Sequence, residues 1–80
     1  MTIGTAIRER ILELCDIHGI TVNKLATISG ITQSTLNNIV SERNQSTTVS
    51  TIKKICDGLE ISLEEFFHSE LFNALEQEVR

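Results

Sequence analysis

Four uncharged side chains within six residues of this 80-residue chain could do hydrogen-bonding chemistry from one helix face: Gln33, Ser34, Asn37 and Asn38. Each offers hydrogen bonds and none carries a charge. Leu36 and Ile39 stand at the spacing that points them inward on a helix, so the four polar residues fall on its outward face. An amide can bond adenine bidentately at N6 and N7, and a hydroxyl can donate or accept at several base edges. Such a face therefore has what reading a duplex major groove requires. A plain solvated helix face is the competing reading. Exposed helices favour Glu and Lys for their propensity, yet no charged residue occurs from Thr32 to Ser41, which favours the recognition surface.

Other chemistry is excluded quickly. Cys15 and His18, spaced i, i+3, could face one metal ion, but no second ligand pair exists, so no metal site is expected. Cys15 and Cys56 read as small buried hydrophobes. His18 and His68 fall near helix ends, where solvation is the expected state. No nucleophile with a matched base, Gly-rich phosphate loop or carboxylate dyad is present, so neither an enzyme nor a cofactor is expected. Glu64-Glu65 reads instead as charge favourable to a helix N-terminus. With no Tyr or Trp, an RNA-stacking surface is not expected. No apolar run approaches the roughly 18–20 residues that span a bilayer, and the opening residues do not read as a signal peptide. The expectation is a soluble, cytoplasmic domain with no membrane partner.

The elements that position the polar face are marked by repeated punctuation. Gly19-Ile20-Thr21 and Gly30-Ile31-Thr32 are the same tripeptide eleven residues apart. In each, glycine can close one helix in the left-handed conformation and threonine can cap the next. Ile20 can pack on Leu25 and Ile31 on Leu36 as hydrophobic staples. Ile61-Ser62 repeats the signal, with Glu65 completing a capping box and Phe66 as the staple partner. Helices are thus predicted over about 3–17, 22–29, 33–40 and 49–57, the last capped by Thr48 and ended by Gly58. A fifth starts at Leu63 and continues toward the C-terminus, with or without a break near His68. The predicted inward residues are Ile7, Ile11, Leu14 and Cys15; Leu25, Ala26 and Ile28; Leu36 and Ile39; and Ile52, Ile55 and Cys56. Ser41 to Thr47 reads as an exposed polar loop. No strand periodicity appears, so the fold class is all-α. The three-residue link at Gly30-Ile31-Thr32 is too short for antiparallel helices and favours a steep crossing, the helix-turn-helix.

Leu25-Ala26, the run Ser29-Gly30-Ile31-Thr32-Gln33-Ser34-Thr35-Leu36, and Ile39 together resemble the phage-repressor-type helix-turn-helix family, also called XRE or lambda-repressor-like. The resemblance continues through Thr51–Leu59 and Ile61–Phe67, covering residues 5–67 in order and without gaps. It implies a five-helix lambda-repressor-like DNA-binding bundle over residues 1–67, followed by a C-terminal helical extension over 68–80. It further implies base contacts from Gln33, Ser34, Asn37 and Asn38, and phosphate contacts from Asn23, Lys24, Thr32, Arg43, Asn44 and Gln45. The implied partner is a double-stranded DNA operator, bound by a homodimer. Three departures stand out. Val22 replaces a glutamine that commonly bonds phosphate, and Glu42 replaces a common glycine. Cys15 and Val40 occupy the positions of a frequent Arg–carboxylate pair; an all-apolar replacement of such a pair is often neutral or stabilising.

Charge is segregated along the chain. The net charge is −4, yet residues 1–54 hold six basic against four acidic groups, and residues 55–80 hold one against seven. From Thr21 to Lys54 there are four basic residues and one acid. So thin a surplus implies that affinity for DNA leans on dimerisation, helix N-termini and neutral amides. All three aromatics, Phe66, Phe67 and Phe72, lie near the C-terminus with Leu71, Leu75 and Val79. Either Phe66 or Phe67 closes the bundle and the rest cover its underside, or Phe72, Leu75 and Val79 form a dimerisation seam. Two rivals to a repressor-like transcription regulator remain: an antitoxin-type component that also binds a protein partner, and an interaction module that has lost DNA binding.

Overall fold

Each helix of this chain begins on a hydroxyl. In the computed structural model, which describes residues 1–41 and 47–79, five α-helices follow one another with no strand among the described residues. They are α1 (Ile3–His18), α2 (Val22–Ser29), α3 (Gln33–Val40), α4 (Val49–Leu59) and α5 (Leu63–Phe67). Thr2, Thr21, Thr32, Thr48 and Ser62 sit before them in extended conformation. Their side-chain oxygens accept from the backbone N–H three residues on, at 3.0–3.2 Å. One otherwise unpaired donor of each first turn is thereby satisfied. At Ser62 the reciprocal bond from its own N–H to Glu65 completes the capping box.

Helix ends repeat as regularly. Gly19 and Gly30 adopt φ of 64° and 68°, and the next residues, Ile20 and Ile31, donate to the carbonyls of Cys15 and Ala26 at 3.0 Å. The third such turn corrects the sequence reading. α4 runs through Gly58 to Leu59, and its left-handed residue is Glu60, with φ of 58° and Ile61 N–H bonded to Cys56 O at 2.9 Å. Gly58 answers a packing constraint instead. A Cβ there would lie 2.6 Å from Ser29 Oγ and 3.0 Å from the Ile28 carbonyl oxygen, so its bareness lets α4 rest directly on the end of α2.

The core takes side chains from all five helices: Ile7, Ile11, Leu14 and Cys15; Leu25 and Ala26; Leu36 and Ile39; Ile52, Ile55, Cys56 and Leu59; and Phe66. Ile28, expected inward, is 38% exposed, and Ser29 occupies the buried end of α2. Phe66 closes the bundle, while Phe67 remains 39% exposed. Arg10, buried on α1, ties α5 down. Its Nε donates to Phe66 O and its Nη2 to Glu65 O, both at 2.7 Å, while Nη1 pairs with Glu13.

The C-terminal segment departs from the expected helical extension. The α-helix stops at Phe67, where His68 N–H turns back to Glu65 O and Ser69 N–H to Phe67 O. A single 3₁₀ turn, Glu70–Asn73, follows, opened by the Ser69 hydroxyl accepting from Leu71 N–H. This reversal lays the Phe72 ring against those of Phe67 and Phe66, at centroid separations of 5.0 and 6.3 Å. Beyond it the chain is irregular and returns to α1's start, where Glu76 N–H donates to Met1 O at 2.9 Å. Aromatic clustering and the carbonyls claimed by Arg10 offer more here than a few further exposed helical turns, which are marginal in isolation.

Candidate nucleic-acid interface

The α2–turn–α3 unit is defined at both ends of its turn. Gly30 takes the left-handed position that a Cβ would disfavour, Ile31 packs against the core, and Thr32 caps α3. Leu36 and Ile39 are buried, so rotation of α3 about its own axis is restricted and its outward face is set. Gln33, Ser34, Asn37 and Asn38 are all exposed, as the spacing predicted, and their side chains bond to no described residue. The structure thus brings these four onto one convex polar surface with its donors and acceptors available.

Thr32 is more occupied than its neighbours. Its hydroxyl accepts from Thr35 N–H at 3.1 Å and donates to Thr35 Oγ1 at 2.8 Å. The Thr32 hydroxyl is thus engaged by Thr35, an exposed residue that sequence reasoning passed over. The signal was present: a threonine three residues after a capping threonine recurs at Thr2–Thr5 and Thr48–Thr51, with the same hydroxyl pairing. Asn23 and Lys24 lie exposed in the first turn of α2, as expected for groups placed beside that helix's free N–H ends. Arg43, Asn44 and Gln45, together with Glu42, lie outside the described residues.

The first turns of α1, α2, α3 and α4 contain no acidic residue, whereas that of α5 holds Glu64 and Glu65. A helix N-terminus carries partial positive charge, and without a resident carboxylate it is available to an external anion. Lys54 is exposed on α4, and Lys53 pairs with Asp57, whose hydrogen bond and negative charge push the lysine pKa up. Val22 is half-buried against the core, which explains an apolar residue at that position.

Cys15 is buried in the apolar core and Val40 is partly buried against it. A different residue links these two helices: Arg8 Nε donates to Val40 O at 3.0 Å. Sequence reasoning missed it, although the absence of a glycine after Val40 was a hint that α3 needed another way to satisfy its end. Burial pushes the thiol pKa values of Cys15 and Cys56 up, which suits hydrophobic packing rather than reactivity. Among the described residues no group of His, Cys, Asp or Glu could hold a metal ion, and no helix is long and apolar enough to cross a membrane.

The expected dimerisation residues are not aligned. Phe72 is half-buried against Phe66 and Phe67, Leu75 is half-buried, and Val79 is 79% exposed. Helical spacing cannot bring the three into one stripe, because no α-helix runs through them. A groove of about 310 Å³ between α1 and α5 is lined by Leu14, Ile17 and Ile61 with His18 and His68 at its sides, and no residue of α2 or α3 enters it.

Comparisons with known proteins agree with this geometry. The Cro/C1-type HTH DNA-binding domain family matches residues 10–70. A crystal structure of the prophage Lp1 protein 11 is similar at a TM-score of 0.81 and 35% sequence identity, covering 94% of this chain and 99% of that one. No curated protein gives a significant match.

Proposed function

The chain belongs to the Cro/C1-type helix-turn-helix DNA-binding family, and from that premise we propose that it is a sequence-specific, repressor-like transcription regulator that inserts α3 into the major groove. The observation that carries the proposal is the outward face of α3. It holds four exposed, uncharged hydrogen-bonding side chains on a helix whose only buried residues are Leu36 and Ile39. Gln33 and Ser34, at the leading end, meet base edges first; Asn37 and Asn38 follow one turn later. Asn23, Lys24 and the Arg43–Gln45 segment grip phosphate, assisted by the N-terminal N–H groups of α2, while Thr32 serves as the cap of α3.

With so few cationic groups per subunit, binding as a homodimer on two half-sites separated by about one helical turn supplies the affinity that one domain lacks. With two or three cationic phosphate contacts per subunit, the log–log salt dependence of such a dimer has a slope of roughly −4 to −5. No enzymatic step is assigned to the chain, and its place of action is the cytoplasm, where its operator is.

Selection of bound sites from a random duplex pool tests the reading. Wild-type protein is expected to enrich one motif, and Gln33→Ala to relax a single position in it at a cost of about 1–3 kcal/mol on the preferred site. Should the variant enrich an unaltered motif, α3 is not the reading helix. Absence of affinity for any duplex at low salt would support the protein-interaction module instead.

A further inference from the structure

The two ends of α3 are held in different ways. Its start is fixed through the chain itself, by the Gly30 turn, the Thr32 cap and Ile31 against the core. Its end is held otherwise among the described residues: the Ser41 hydroxyl donates to Asn38 O at 3.2 Å, and no left-handed residue closes the helix there. α1, α2 and α4 each close on a left-handed residue that satisfies carbonyls of the last turn, but Ser41 after α3 has φ of −94° and ψ of 8°. No basic residue lies in the last turn of α3 to complement its negative end. What reaches that end is Arg8, 32 residues earlier in sequence, whose Nε donates to Val40 O at 3.0 Å while Nη1 pairs with Glu9 on the same helix.

We propose that Arg8 is a specificity-determining positioning residue: by holding the C-terminal carbonyl of α3 against α1, it sets where Asn37 and Asn38 stand relative to the base edges. α3 has eight residues, with Leu36 and Ile39 buried and Val40 packed partly against the core, so the Arg8 bond adds a directional restraint on tilt about its well-anchored start. A tilt pivoting at Thr32 displaces Gln33 and Ser34 little, and displaces Asn37 and Asn38 more. Hydrogen-bond readout is lost over displacements of a few tenths of an ångström to an ångström. Arg8 thus acts through the pose of the helix and touches no base. Its charge, placed at the negative end of α3, strengthens the contact beyond that of a neutral donor.

The inference rests on α3 being the reading helix, so its test pairs a DNA readout with one that needs no DNA. Three variants are compared at a temperature where all are folded: Arg8→Met, which removes the donor; Arg8→Lys, which keeps one charged donor; and Glu9→Gln, which removes the charge of Glu9 and keeps the Arg8 donor. Arg8→Met is expected to lower discrimination about five- to tenfold at the base positions assigned to Asn37 and Asn38, and less than about twofold at those of Gln33 and Ser34. Its salt slope stays that of the wild type, because no phosphate contact is lost. Arg8→Lys recovers part of the discrimination, and Glu9→Gln behaves as wild type. Without DNA, amide exchange at Val40 and Ser41 is expected to speed up about tenfold in Arg8→Met, with α2 unaffected.

Uniform weakening on all sequences, with a slope smaller by about one, would make Arg8 a phosphate contact and overturn the proposal. A lower melting temperature with unchanged base preferences would overturn it as well, leaving Arg8 a stabilising residue only. If the wild type itself shows no base preference, the reading of α3 fails separately. Unaltered exchange at Val40 and Ser41 would then overturn the claim that Arg8 holds the helix end, and faster exchange would uphold it.

Discussion

Between Val22 and Val40 the chain makes two eight-residue helices whose boundaries are written residue by residue: a threonine before each and a left-handed glycine between them. From Leu63 to Val79 it makes one five-residue helix, a 3₁₀ turn and an irregular tail. The first region leaves Gln33, Ser34, Asn37 and Asn38 outside, bonded to no described residue. The second draws its aromatic rings together and takes hydrogen bonds from Arg10 on a distant helix. The contrast teaches that a surface meant to meet another molecule can be specified locally, whereas the region that closes the core depends on groups far away in sequence.

Energetically, the comparison predicts that the closing region is the more vulnerable to a single change. Arg10→Met removes two charge-assisted bonds to the carbonyls of Phe66 and Glu65 and leaves those carbonyls at the buried junction of α1 and α5 without their donor. A loss of about 2–3 kcal/mol in urea-unfolding free energy is expected, since hydrogen bonds to charged groups are worth more than neutral ones. If the loss is smaller than that of a helix cap, α5 is held by Phe66 alone and the contrast between the regions disappears.

Thr32→Ala addresses the other side. It deletes the cap of α3, and the same unfolding measurement should register a loss of about 1 kcal/mol. Because the cap also fixes where the reading face begins, specific DNA binding should fall more than non-specific binding. Equal weakening of both would show that the cap contributes stability without register.

The smallest expected effect has the opposite sign. Glu60 occupies a left-handed position at the end of α4, where its counterparts Gly19 and Gly30 avoid the steric cost. Glu60→Gly should stabilise the domain by about 0.5–1 kcal/mol, the relief of backbone strain outweighing the added freedom of the unfolded chain. A destabilised variant would mean that the carboxylate makes up for its backbone conformation.

Much of the architecture was legible because it rests on short-range rules. The starts of α2 to α5 follow from capping residues read in the sequence, and the inward sets at Ile7, Ile11, Leu14 and Cys15 or Leu36 and Ile39 follow from helical period. The outward placement of Gln33, Ser34, Asn37 and Asn38 comes from the same period. Misreadings arose where two local meanings compete. Gly58 has the chemistry of a helix end, but it serves as a place where α4 can lie against Ser29 and Ile28. Phe72, Leu75 and Val79 have the spacing of a helical stripe, yet the turn at Ser69 sends Phe72 back onto its own core.

Sequence alone therefore determined the fold class, the helix-turn-helix and the polar face it presents, because caps, left-handed glycines and apolar period act over one helical turn. Only the tertiary structure decided how the ends of α3 and α5 are satisfied. Arg8 reaches Val40 and Arg10 reaches Glu65 and Phe66 across gaps of 32 to 56 residues. No local pattern encodes such contacts: a helix must satisfy its last carbonyls, but which distant donor does so depends on how the helices pack.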